Sequence, residues 1–305
     1  RDVAVTGVQT CALPISRCPT RAGHCLLTGI SALYFFRFLG NTCPHSQPSR
    51  AHCAVISYEY PLSERVRTLL RFEDLYERVE YFLAKSDALE HHSALVSIFE
   101  ILEVASRADL KSDLLQELER QKHVLESLRE NPEISEAALD DILWKIDQAA
   151  SKLFQASGKA GQELRENEWL MGIKQRTSIP GGVCEFDLPS YHFWLQQNSD
   201  QRRHDLNQWL SPFVPIREAI VIVLRLLRES GKSTTLVAHQ GVYQQMMAGR
   251  VAQMLRIRLS RNYQCVPEIS ANKYALNIRF TTNEGGQRPK TVETDVEFDL
   301  TFCNL

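Results

Sequence analysis

The sequence predicts an α+β protein with an N-terminal antiparallel α-helical bundle domain and a C-terminal antiparallel β-strand domain. Apolar residues recur at steps of three and four through most of residues 66–229, whereas beyond Thr234 they alternate with polar residues. Of the 305 residues, 44% are hydrophobic and 24% are charged, as in an ordinary globular protein. The net charge of -2 provides no overall attraction to nucleic acid or to an anionic membrane.

Residues 1–54 differ from the rest in composition, because they hold one acidic residue, Asp2, and five of the eight cysteines. We expect a non-native or unstructured leader here, since residues 5–16 look like translated adaptor sequence. A signal peptide around residues 25–36 lacks a clean cleavage site, and a zinc site lacks a C-x2-C pair. The three later cysteines are sparse, which favours reduced thiols in a cytoplasmic protein: Cys184, Cys265 and Cys303.

The helical domain is expected to cover residues 55–232, with an extended excursion near 177–189. Pro61 ends an extended lead, and Ser63 is placed to cap the first helix. Short connections between amphipathic helices indicate an antiparallel bundle. The apolar stripes predict helices over residues 66–83, 95–105, 110–128, 135–153, 162–176, 201–210 and 216–229.

Residues 176–194 interrupt the helical pattern. Pro180-Gly181 suits the centre of a turn, residues 183–188 look extended, and Pro189 can open a helix. That helix carries three aromatic residues around one histidine, which indicates either a packed junction between the two domains or a peptide-binding groove. We expect Phe193 and Trp194 to pack the junction while His192 faces a ligand.

The strand domain, residues 233–305, is predicted as a four-stranded meander. Its strands lie within residues 234–246, at 255–259, at 274–280 and at 296–302, with the last two joined by a loop at 283–289. We expect two neighbouring strands to project cations from one side of the sheet. That face is either solvated or a docking surface for an acidic or mixed-charge peptide, and its cations are Arg256, Arg258, Lys273 and Arg279.

Catalytic motifs are weak in this sequence. The run from Ser230 to Thr234 imitates the end of a phosphate-binding loop, but Leu226 stands where that motif requires glycine. Cys184 is next to Glu185 and has no neighbouring cation that would lower the pKa of its thiol. His192 has no evident nucleophile as a partner. The pattern therefore favours an interaction protein that is not an enzyme.

Several longer motifs occur in the order found in one family. They are residues 59–71 (EYPLSERVRTLLR), 117–121 (ELERQ), 178–189 (SIPGGVCEFDLP), 192–195 (HFWL) and 267–270 (PEIS), followed by IRF at 278–280. From about residue 55 to 305 the chain resembles the ZapD family, bacterial cytoplasmic cell division proteins that bind FtsZ.

This resemblance implies a homodimer that binds the C-terminal tail of FtsZ and bundles its protofilaments at mid-cell, with no cofactor, nucleic acid or membrane as partner. Family cations implicated in binding carry over at Arg71, His192 and Arg279. Two others are replaced by Glu168 and Ala275. Nearby cations are candidates to compensate: Arg165, Arg176, Arg258 and Lys273.

Two other functions remain as rivals. One is an enzyme with a phosphate site at Gly231-Lys232-Ser233, which nucleotide binding would favour. The other is a scaffold, unrelated to division, that binds an acidic peptide or nucleic acid through its basic sheet face. That face shows no aromatic side chains for base stacking.

Overall fold

The computed structural model describes residues 55–107, 109–131, 134–156, 158–282 and 288–304. The predicted leader, residues 1–54, lies outside this range, as does most of the loop predicted at 283–289. The described part is mainly helical up to residue 229 and strand-rich after it, which confirms the predicted α+β class.

Nine α-helices form within the described residues, and side-chain caps mark where several of them begin. Ser63 Oγ accepts a hydrogen bond from Val66 N at 3.2 Å, and Asn167 Oδ1 accepts one from Leu170 N at 3.0 Å. The helices are α1 (Glu64–Leu83), α2 (Ala88–Arg107), α3 (Leu110–Glu126), α4 (Glu136–Gln155), α5 (Gln162–Glu166), α6 (Glu168–Thr177), α7 (Pro189–Leu195), α8 (Ser199–Leu210) and α9 (Val214–Glu229).

One predicted helix is divided in two. The stripe at 162–176 becomes α5 and α6, because Asn167 takes an extended conformation and caps the second helix. The apolar faces of the helices form one helical core, in which Phe72, Ile98, Leu118 and Leu224 are almost fully buried.

The strands form two four-stranded sheets, so the predicted single meander was wrong. They are β1 (Val55–Pro61), β2 (Ser233–Ala238), β3 (Val242–Met246), β4 (Met254–Ser260), β5 (Val266–Ala271), β6 (Ala275–Thr282), β7 (Lys290–Thr291) and β8 (Val296–Cys303). The first sheet has the order β1-β4-β8-β2, and in the second sheet β6 lies between β3 and β5 and also pairs with β7. Every pairing is antiparallel.

The inner faces of the two sheets meet in a strand core. Alternate residues of β4, β6 and β8 point into it, and the rings of Phe280 and Phe298 lie 5.0 Å apart across it. Polar residues on the same strands therefore point outward, and those of one sheet face away from those of the other. This arrangement is a packed pair of sheets.

The extended lead, β1, joins the strands instead of the helices next to it in sequence. It pairs along its whole length with β4, which places Glu59 opposite Arg256. Arg228, near the end of α9, donates to Glu59 Oε2 at 2.8 Å and to Glu73 Oε2 of α1 at 2.6 Å. Met254 and Cys303 also enter the helical core, so these residues connect helices and strands.

Candidate partner-binding site

The segment between α6 and α7 is a chain of tight turns, so the extended backbone predicted for residues 183–188 was wrong. Gly182 N donates to Ile179 O at 2.9 Å, and Asp187 N donates to Cys184 O at 3.0 Å. Gly181 has a φ of 70°, which suits glycine at a turn. Each turn brings the chain back on itself, which makes the segment compact.

An aromatic cluster holds α7 against the helical bundle. Tyr191 and Trp194 stack with ring centroids 5.7 Å apart, and Trp169 and Trp209 pack beside Trp194 at 6.4 Å and 5.6 Å. Tyr191 Oη lies 2.7 Å from His92 Nδ1. Burial raises the pKa of the Tyr191 phenol, so it stays protonated and can donate to that nitrogen. The orientation of α7 is thereby determined.

Because Trp194 faces inward, its neighbour Phe193 faces outward. Phe193 is 69% exposed, so the prediction that both residues pack a junction was wrong for Phe193. Phe186, in the turns, is 80% exposed and Ile179 is 50% exposed. Sequence reasoning missed Phe186, because large aromatic side chains are usually buried.

Two of the predicted binding cations border these exposed residues. Arg176 Nη1 lies 3.4 Å from Asp187 Oδ1, and His192 Nε2 lies 3.8 Å from Glu185 Oε2. The two contacts tie the turns to the end of α6 and to α7, with Phe186 between the two acidic residues. We call this group the turn-segment surface: Arg176, Ile179, Phe186, His192 and Phe193.

Two other predicted cations lie on or beside the second sheet. Arg279 points outward from β6, with its side chain 64% exposed and its Nη2 3.9 Å from Glu268 Oε2. Its neighbours in register are Val242 of β3 and Glu268 of β5. Lys273 lies in the turn before β6, with its Nζ 4.8 Å from the ring centroid of Tyr274. This outer face combines charged residues with the exposed Val242.

The first sheet carries the remaining strand cations, so the prediction of one four-cation face was wrong. Arg258 is exposed on β4, opposite Ser57 and Asp299. Arg256 is on the same face, but its Nε lies 3.5 Å from Glu59 Oε1. Neither shares a sheet with Arg279, since β4 and β6 belong to different sheets.

Arg71 and Arg165 have different surroundings in the helical bundle. Arg71 is exposed on α1. Arg165 is half-buried and donates to two backbone oxygens, Ala160 O and Leu102 O, each at 3.0 Å. A guanidinium held in this way stabilises the loop before α5 and has fewer donors left for a partner.

Within the described residues, no helix has both the length and the apolar character needed to cross a membrane.

Comparison with known proteins identifies relatives along most of the chain. A family profile described as "ZapD: Cell division protein" matches residues 70–279. Two proteins named "Cell division protein ZapD" are similar to this chain over 251 residues, which is 82% of its length. The protein from Azoarcus sp. is 61% identical, and 100% of its own length is covered. The protein from Aromatoleum aromaticum is 59% identical, and 98% of its own length is covered. The protein of that name from Dechloromonas aromatica is 56% identical over 252 residues, with 100% of its length covered.

Proposed function

The chain belongs to the ZapD family of cell division proteins, and from this premise we propose that it binds the C-terminal tail of FtsZ and bundles FtsZ protofilaments. In this role it is a cytoplasmic homodimer at mid-cell that supports Z-ring assembly and septum formation. It acts by binding, without catalysis or a cofactor, and neither nucleic acid nor a membrane is its partner. The tail contacts are assigned to exposed cations of the helical and strand domains, residues 55–232 and 233–305.

The observation that best supports this proposal is the weak pairing of Arg279. Its Nη2 lies 3.9 Å from Glu268 Oε2, and both side chains are exposed. An exposed pair of this kind contributes about 0–1 kcal/mol, so a carboxylate of the tail can replace Glu268 at little cost. The contact of His192 with Glu185 is similarly long, at 3.8 Å, and that of Arg176 with Asp187 is 3.4 Å.

Bundling follows if each protomer holds one tail. A two-fold dimer presents two equivalent sites, and a filament offers many tails. The second binding event is then intramolecular, so modest affinity at one site produces strong cross-linking.

The test is co-sedimentation of the full chain with FtsZ, with and without its C-terminal tail. We expect pelleted bundles only with the tail, and fewer bundles as salt rises, because exposed cations are screened over about 8 Å at physiological ionic strength. Bundling that needs no tail would contradict the proposal.

Arg279→Glu tests the assigned residue. We expect tail affinity to fall at least about tenfold while the dimer mass is unchanged, since the substitution places a carboxylate beside Glu268. The matched control is Arg129→Glu, an exposed arginine that pairs with Asp140 at 2.8 Å in the helical part. Equal tail affinity of the two variants in a fluorescence titration would remove Arg279 from the site.

The rival scaffold function loses its main support. It relied on a basic face of one sheet, and Arg258 and Arg279 lie on different sheets. Loss of FtsZ bundling together with binding of a single-stranded oligonucleotide would favour it again.

A further inference from the structure

We propose that the turn-segment surface is an apolar anchor site for an extended peptide that carries a large apolar side chain next to a carboxylate. The inference rests on the proposed function, because it assigns the apolar contacts of the same tail. It adds Phe186, Phe193 and Ile179 to a site otherwise described by cations alone.

The first support is the exposure of these side chains. Phe186 is 80% exposed, Phe193 is 69% exposed and Ile179 is 50% exposed, all within one fifteen-residue stretch. A buried aromatic side chain removes about 150–250 Å² from water, so the three together leave roughly 300 Å² of apolar surface in contact with solvent. Several large apolar side chains exposed within one short segment are a feature of binding surfaces.

The second support is that the backbone beneath these side chains is already ordered. Ile179 N donates to Arg176 O at 3.0 Å, and a side chain at Gly182 would bring a Cβ within 2.5 Å of the same oxygen. Val183 and Leu188 pack against the helical core from within the same turns. Because this segment is already ordered by folding, it loses little further conformational entropy when a partner binds, and this favours affinity.

The third support is the charge at the rim, which selects the class of partner. Phe186 lies between Glu185 and Asp187, whose contacts with His192 and Arg176 are 3.8 Å and 3.4 Å long. Contacts near the surface contribute little, so a partner's carboxylate can replace Asp187 beside Arg176 or Glu185 beside His192. At the same time the apolar side chain of the partner peptide covers Phe186. A purely acidic peptide would leave the phenylalanines in water, and a purely apolar one would leave the cations without a new partner.

The experiment uses the full chain and a fluorescently labelled synthetic peptide with the sequence of the FtsZ C-terminal tail. The double variant Phe186→Ser/Phe193→Ser is compared with Phe154→Ser, whose side chain is 75% exposed on α4. We expect at least about tenfold weaker anisotropy-measured affinity for the double variant and no change for the control, because truncated aromatic anchors dominate binding losses. Sedimentation of each variant reports the dimer mass.

A second peptide, with its apolar residues replaced by alanine, completes a double-mutant cycle. It should bind the wild-type chain more weakly but show no further loss with the double variant. Full affinity of the double variant for the natural tail overturns the anchor site and leaves the proposed function standing. No tail binding by the wild-type chain overturns both. A loss of dimer mass with tail affinity unchanged would instead assign the surface to a second copy of this chain, and would also overturn the anchor site.

Discussion

Arg228→Met should destabilise the protein strongly, because Arg228 joins α9 to β1 and α1. Its guanidinium contacts both oxygens of Glu59 and both oxygens of Glu73, at distances from 2.6 to 2.9 Å. Burial alone would raise the pKa of Glu59, but Arg228 and Arg256 outweigh that effect and lower it. The variant therefore leaves two partly buried carboxyl groups without the guanidinium that they share.

The magnitude follows from that geometry. Breaking a buried pair costs about 3–5 kcal/mol, and these side chains are only 19–25% exposed, so we expect about 3 kcal/mol. For a chain of this size that corresponds to a fall in Tm of about 6–12 °C. Thermal unfolding followed by circular dichroism at low and moderate salt measures it.

The matched control is Arg225→Met, one turn earlier on the same helix. Arg225 pairs with Glu229 at 3.1 Å on the exposed face, and such pairs contribute less than about 1 kcal/mol. Adding Glu73→Gln to Arg228→Met should recover part of the loss by removing one carboxylate. If the two arginine variants unfold at the same temperature, the assigned role of Arg228 is refuted.

Two further predictions concern the helical core. Gly161→Ala should lower the free energy of unfolding in urea by about 2–4 kcal/mol, because φ at Gly161 is 69° and the new Cβ would lie 2.5 Å from Leu102 Cδ1. Gly172→Ala is the control, because its Cβ would meet open space, and it should be neutral or stabilising. Burial lowers the pKa of His91, whose Nδ1 accepts from Arg202 Nε at 3.0 Å, so folding favours the neutral ring. The free energy of unfolding should fall as the pH drops below about 6.5, the ordinary pKa of histidine. His91→Gln should flatten that fall. An equal slope of unfolding free energy against pH in the variant would contradict this prediction.

Local signals predicted most helix boundaries well. Ser63 caps α1 as expected, and Pro189 begins α7, because capping and proline geometry depend on a few adjacent residues. The division at Asn167 was missed, since its side chain favours a cap over continuing the helix. Residue spacing alone did not distinguish these two outcomes.

The candidate site was only partly predictable. The cations at Arg176 and His192 came from sequence, and the structure adds Phe186 between their acidic partners. Arg165 was expected to compensate for a missing cation, yet it donates to Leu102 O. Whether an arginine is available depends on backbone oxygens that lie far away in sequence.

By itself, the sequence determined the family, the class of fold and the type of most elements, because long motifs and apolar periodicity are local properties of the chain. Only the tertiary structure decided which sheet each strand joins. Glu59 meets Arg256 through a pairing between distant segments, whose register depends on both strands together. The tertiary structure also decided that Trp194 is buried and Phe193 exposed, because packing against Trp169 and Trp209 sets the rotation of α7.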